Sequence, residues 1–340
     1  MKRTILPILQ PPLHGHLYSA FPLSISPLHK NFFNWFYSNY SALKVLNYDG
    51  SLDIVFDTGN ILDRPEENPI LSVTKINNKD ILTLDFINTL KYYLNQSKYI
   101  YIFLDEYYVK NRFNYQQEHF LKESLIYGYD DQFEEFLICG FNSSMIYGNQ
   151  RVPYSCLHEG FVHNNYIGGW AGYTYFIEFN SNVEIQFDKQ KLVHFLEKSL
   201  SLPSEHYKLH FQEEEVVSYG VSIPSYLENV FYHECHKMKD ISSIRNFHVL
   251  WEYHNGMVNR IKFLRDLGYL NQGSEVLLGR QVLLEENAKK IRNIVLKSFI
   301  KNKGSEINNT EINNIIKLLQ KIRSVEEENL LDLLNQLKSG

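Results

Sequence analysis

The spacing of apolar residues changes along this 340-residue chain. Up to about residue 220, apolar positions come in short runs of β-branched and aromatic residues separated by polar turns, the pattern of buried strands. Residues 42–48 and 52–56 form one such pair, and the Asp49 and Gly50 between them suit a two-residue hairpin. Further strands are predicted at 71–76, 99–104, 124–129, 136–141 and 173–179. Two helical periodicities interrupt them. Residues 80–96 put Ile81, Leu84, Ile87, Leu90 and Leu94 on one face, and residues 188–200 open on the capping carboxylate of Asp188. Residues 32–40, dense in Phe, Trp and Tyr, predict a buried helix or turn-rich segment.

Beyond about residue 220 the period is helical. Helices are predicted at 223–237, 241–267, 274–301, 310–322 and 325–337. Phe247, Leu250, Trp251, Val258, Ile261 and Leu264 make one apolar stripe, which Gly268 stops. Ser324 and Glu327 have the spacing of a capping box that would start the last helix. The pattern gives an α+β domain over residues 1–220 and a helical C-terminal region over 221–340.

Composition narrows the function classes. Hydrophobic residues at 44% and charged residues at 21% fit a globular protein rather than a disordered one. A net charge of −5 and a pI near 6.2 argue against a nonspecific grip on nucleic acid, which needs a basic surface. Cys139, Cys156 and Cys235 are too few and too far apart for a disulfide framework, which points to a reducing compartment. The apolar run after Arg3 is short and Pro7 breaks it, unlike a signal peptide. No segment approaches the roughly 20 apolar residues of a membrane span. A cytoplasmic protein with no nucleic-acid and no membrane partner is expected.

Chemistry concentrates between residues 101 and 142. A buried strand ends in Asp105, Glu106, Tyr107 and Tyr108. A polar connection carries Arg112, Tyr115 and His119, and a second strand ends in Gly128, Tyr129, Asp130 and Asp131. Charged side chains at strand ends face rims where ligands sit. The plainer account is a structural Asp105 and an ordinary turn at 129–131. This stretch resembles the N-terminal domain of the butirosin biosynthesis protein H-like family, in the papain-like group that also holds the bacteriocin-processing cysteine peptidases. Members carry an Asp-x-(Tyr/Phe)-Tyr corner, then a Tyr, then a His and a short apolar strand into Gly-Tyr-Asp-Asp. The resemblance is close over 101–142 and loose over the rest of the N-terminal half. The segment from Phe247 to His254 resembles the helical tail of some relatives.

The resemblance implies a papain-like fold with a central antiparallel sheet. It also implies acyl transfer in natural-product biosynthesis, from an acyl carrier protein thioester to a small-molecule amine, with no cofactor. Such chemistry uses a Cys near a helix N-terminus, a His that deprotonates it and an Asp or Asn that orients the His. Here the family's Cys position is Leu17, its His position is Lys122, and Asn142 stands near the place of the orienting acid.

The candidates are therefore replacements. His119 is the candidate base, with Asp105 and Asn142 orienting it or binding substrate. His16, Tyr108, Tyr115 and Asp130 complete the substrate-facing set that the resemblance implies. Ser19 is a candidate nucleophile, with a helix cap before 20–25 as its plainer role. Cys156 follows Ser155, which would cap a helix running through Val162 and put the thiol in its first turn; a buried structural Cys is the competing account. Lys122 is either a desolvated base or an ordinary solvated lysine. His233 and His236 are one residue too close for the His-Glu-x-x-His zinc pattern, and no metal is assigned. The acidic run 213–215 reads as a solvated loop. Without a covalent intermediate, His119 would deprotonate the amine directly. The alternative class is a catalytically inactive papain-like fold that binds a carrier protein or a small molecule.

Overall fold

Strand-forming runs in the first half pair mostly with their sequence neighbours, so the sheets are antiparallel. The computed structural model describes residues 2–48, 51–62, 64–164, 169–201, 207–208, 215–233, 241–271, 273–302 and 307–339. Its strands are β1 (Arg3–Ile5), β2 (Leu43–Tyr48), β3 (Ser51–Phe56), β4 (Leu71–Asn77), β5 (Lys98–Asp105), β6 (Leu121–Asp130), β7 (Glu135–Phe141), β8 (Tyr147–Pro153), β9 (Tyr173–Phe179), β10 (Tyr207–Lys208) and β11 (Glu215–Tyr219). Its α-helices are α1 (Leu17–Ile25), α2 (Phe32–Asn39), α3 (Asn78–Leu82), α4 (Phe86–Asn95), α5 (Tyr154–Val162), α6 (Lys189–Ser201), α7 (Ile223–His233), α8 (Ile241–Asp266), α9 (Ser274–Asn302) and α10 (Asn309–Ser339). The chain divides into two units, 1–32 with 59–184, and 33–58 with 185–340. Residue 220, the expected boundary, falls inside the second unit.

The first unit is built on a seven-stranded sheet in the order β4-β9-β5-β6-β7-β8, with β1 added to β6. Side chains alternate between its faces. Tyr101 of β5 points to the face covered by α1, where its ring meets Phe21 at 5.3 Å. The opposite face takes α4 and α5, with Tyr93 against Phe176 and Gly160 against Leu104. β1 lies so close to β6 that a Cβ on Gly128 would sit 2.5 Å from the Thr4 carbonyl oxygen. The helix expected over 80–96 is two helices. Asp85 accepts the Asn88 N–H and starts α4 afresh, which leaves Leu84 exposed rather than in the stripe.

The second unit has a four-stranded sheet, β10-β11-β2-β3, and the long helices. β2 and β3 pair from Leu43 opposite Phe56 to Tyr48 opposite Ser51; Asp49 and Gly50 themselves lie outside the described residues, as do Glu213, Glu214, Cys235 and His236. β3 is an edge strand, and edge strands expose unpaired backbone groups. Here the Asn246 side chain of α8 acts as the missing neighbour. It accepts from Ile54 N–H at 2.8 Å and donates to Leu52 O at 2.8 Å. Arg260, fully buried on the same helix, donates to the Tyr37 and Tyr40 carbonyls and so satisfies the C-terminal end of α2. α6 starts at Asp188, whose carboxylate accepts the Lys191 N–H, as expected. The two helices expected over 310–337 are the single helix α10. Ser324 bonds back to the Lys321 carbonyl instead of capping, and no Gly or Pro breaks the segment.

A chain of amides crosses the helical core, from Asn329 Nδ2 to Gln281 Oε1 at 2.8 Å and from Gln281 Nε2 to the His254 carbonyl at 3.3 Å. Burial pushes the His254 imidazole down to about 3 and the Glu326 carboxyl up to about 8, so both are neutral near pH 7. Among the described residues, no helix is long and apolar enough to cross a membrane.

Two stability measurements follow. Asn246→Ala leaves the Ile54 N–H and the Leu52 carbonyl without partners and should cost about 2 kcal/mol in urea unfolding of the full chain. Folded Glu326 keeps its proton up to about pH 8, whereas in the unfolded chain it releases it near its ordinary value of 4.5. Between these values the unfolded state binds fewer protons, so stability falls as pH rises. Glu326→Gln should remove that decline, seen as a smaller difference between urea midpoints at pH 5 and pH 8.

Candidate functional site

β5 is buried along its length and brings Asp105 to one rim of the first unit's sheet. There the carboxylate closes a connection that runs from Glu106 to Phe120. Its Oδ1 accepts the N–H groups of Tyr107 at 3.1 Å and Phe120 at 3.2 Å, one at each end of the connection. Its Oδ2 lies 2.7 Å from His119 Nδ1. A carboxylate only accepts, so Nδ1 carries the imidazole proton and Nε2 is left as an unshared lone pair. The His119 side chain is 64% exposed and that of Asp105 only 8%. The result is a buried carboxylate holding an accessible imidazole in one tautomer. Tyr107 stacks on the His119 ring at 4.3 Å and fixes its plane.

The connection is held from inside by Arg112, which is 2% exposed. Its guanidinium donates to the Phe141 carbonyl on β7 and to Ser124 Oγ on β6, each at 2.7 Å. Space for it comes from Gly140, where φ is +152° and a Cβ would stand 2.5 Å from Arg112 Nη1. Glu106 is buried, and desolvation raises its carboxyl above the ordinary range despite the nearby Arg112 charge and the Asn114 side chain that donates to it. Ser143 N–H donates to the Asn111 carbonyl, tying the connection to the turn after β7.

α5 packs against the same corner through a glycine. A Cβ on Gly160 would lie 3.0 Å from Val109 and 3.1 Å from the Asp105 carbonyl oxygen. The close approach brings Glu159 and His163 to Tyr108. The rings of Tyr108 and His163 stack at 4.4 Å, and Tyr108 also touches His119 at 5.8 Å. Partial desolvation and then the Asp105 carboxylate hold the Tyr108 phenol above its usual value. Asn164 donates to the Phe103 carbonyl and fixes the end of the helix. Sequence reasoning missed His163, Glu159 and Gly160, because none of them falls in a motif.

The other candidates are placed as follows. Asn142 Oδ1 accepts the N–H groups of Ser144 and Ile146, so it shapes its own turn. Ser19 is buried in the first turn of α1, which begins at Leu17, with His16 at the N-cap position. Ser19 is thus inside the helix rather than its cap. Tyr115 is half-buried in the connection. Asp130 pairs with Arg3 at the far end of β6, about 30 Å along the strand from Leu121. Cys156 lies in the first turn of α5, half-buried, but the N-cap position belongs to Pro153 and Ser155 is the second helical residue. Ser155 and His158 line a cleft of 390 Å³ where the N-terminal ends of α4 and α5 meet; His119 is not among its lining residues. Burial pushes the Cys139 thiol up to about 12, which keeps it protonated and inert. Lys122 stands over the Phe120 ring. Among the described residues, no hydrogen bond joins His119 to Ser19, Cys156 or Asn142. The zinc pattern considered at 233–236 lies outside the described residues apart from the backbone of His233.

No known protein family's model matches the chain, and no curated protein matches it.

Arg112→Met keeps the length of the side chain but removes both hydrogen bonds and the buried charge beside Glu106. It should destabilise the folded chain by about 3 kcal/mol in urea unfolding. Ser124→Ala removes one partner and should cost about 1 kcal/mol.

Proposed function

We propose that the first unit is a papain-like domain of natural-product biosynthesis, and that it transfers an acyl group from a carrier-protein thioester directly to an amine. The observation that carries this reading is the Asp105–His119 pair: a 2.7 Å contact, a buried carboxylate and an exposed imidazole whose Nε2 is free to accept a proton. A general base needs that arrangement. As the amine nitrogen bonds to the thioester carbon, His119 takes a proton from it. The C–S bond then breaks, and the carrier's thiolate recovers a proton from the imidazolium. The products are an amide and a free carrier thiol. No enzyme nucleophile enters the scheme, in keeping with Leu17 at the first position of α1.

Topology supports the papain-like part. α1 starts at Leu17, the family's Cys position. Lys122, at the family's His position, lies on β6, and Asn142, near the place of the orienting acid, directly follows the end of the neighbouring strand β7. A second reading, a binding module without catalysis, draws on the same positions. Leu17 is packed at 4% exposure and the Asn142 side chain is committed to its turn.

The test is intact-mass spectrometry of an acyl-loaded carrier protein with a primary amine. Direct transfer expects unloading with amide formation, slowed about 100-fold or more in His119→Ala. Asp105→Asn should lose most of the same rate, because the tautomer is no longer fixed. Absence of unloading with every amine, together with co-elution of protein and carrier, would replace this reading with the binding module.

A further inference from the structure

His119 and His163 carry the same equipment. Each stacks on a tyrosine from the turn after β5, Tyr107 at 4.3 Å for His119 and Tyr108 at 4.4 Å for His163, both with an interplanar angle of 22°. Each directs Nδ1 at oxygen. For His119 that is the Asp105 carboxylate; for His163 it is the Glu159 carbonyl at 3.0 Å, with the Glu159 carboxylate at 3.5 Å. An acceptor on Nδ1 puts the proton there and leaves Nε2 as the basic nitrogen of each ring. Both side chains are exposed, at 64% and 44%. Both rings touch Tyr108, so the two bases flank one aromatic surface. A histidine that only finished its helix would need the Glu159 carbonyl and nothing more. The tyrosine stack, the second carboxylate and the close approach at Gly160 exceed that need.

Two bases around one ring suit a substrate nitrogen that must lose two protons. An alkylamine is an ammonium near pH 7, since its conjugate acid resembles that of lysine. It loses one proton to become a nucleophile and a second as the amide forms. We propose that His163 is a second proton acceptor of this site, and that the acceptor substrate is a primary alkylamine that arrives protonated. This rests on the acyl-transfer reading above.

His163 Nε2 takes the first proton from R–NH3+, giving R–NH2. The nitrogen lone pair forms the C–N bond at the thioester carbon, and His119 Nε2 takes the second proton. The C–S bond breaks with its electron pair on sulfur, the thiolate takes the proton from His119, and His163 returns its proton to solvent. One ammonium and one thioester give one amide, one thiol and one proton.

The experiment compares two acceptors with the full-length protein and an acyl-loaded carrier at pH 7. One is an alkylamine, protonated at this pH; the other is methoxyamine, which is not. His163→Ala should lower kcat about 100-fold with the alkylamine and leave the methoxyamine rate within about twofold, which also shows that the variant is folded. His163→Phe keeps a ring on Tyr108 without a basic nitrogen and should behave like His163→Ala. His119→Ala should slow both acceptors. Equal losses with the two amines, or an alkylamine rate preserved in His163→Phe, would make His163 a positioning group and overturn the proposal. An unchanged rate in His163→Ala, with the rate still lost in His119→Ala, would sink this proposal and leave the acyl-transfer reading standing. No unloading of the wild-type carrier with either amine would sink both.

Discussion

The guanidinium of Arg112 is the constraint on which the first unit's rim depends. A positive charge taken out of water is tolerated only where its hydrogen-bond donors are met and opposite charge is near. Ser124, the Phe141 carbonyl and the Glu106 carboxylate meet those terms. In doing so they fix the connection between β5 and β6, which has no regular secondary structure beyond one turn. Without that internal anchor the segment would have only its ends to define it. Asp105 ties those ends, and Arg112 sets what lies between. The orientation of His119 is thus a product of two buried charged groups, one at each level of the same loop.

Much of this scaffold could be read from the chain. β5, β6 and β7 appear as runs of apolar residues between polar turns, and the acidic and aromatic corner at their rim is a recognisable pattern. The sequence names Asp105 and Asn142 alike as partners for His119, and no period chooses between them, because thirteen residues of mostly irregular chain separate Asp105 from His119. Gly160 gave no signal either. Its meaning lies in a carbonyl of another element that a Cβ here would meet at 3.1 Å, which only the folded chain displays. The split of the expected helix at Asp85 had a local sign, an aspartate three residues before an asparagine, but the apolar stripe through Leu84 outweighed it. The single α10 shows the converse error: a capping pattern at Ser324 is common in sequences and binds only where the chain actually turns.

In the second unit the limit was different. Asn246, His254 and Arg260 are polar and yet buried on α8. A reading based on apolar spacing assigns such residues to the solvent face and so underestimates how much of the helix is covered. Each is buried because it serves a particular partner: an edge strand, an amide chain or the end of another helix. Those partners lie up to 223 residues away in sequence, as for Arg260 and Tyr37. Polar residues of this kind specify which elements meet, whereas apolar ones specify only that something must cover them.

The division of the chain has a consequence for its synthesis. The β2–β3 hairpin leaves the ribosome early, but the Asn246 side chain that covers its edge comes roughly 190 residues after Phe56. At the ordinary pace of translation that interval is on the order of ten seconds or more. During it the nascent chain carries an apolar two-stranded ribbon with an open edge, while the segment 59–184 between the two halves can already close on itself. The second unit must then assemble from pieces made before and after its neighbour. Its vulnerable period is the time before α8 emerges, when a chaperone or a stray strand from another chain competes for the same edge.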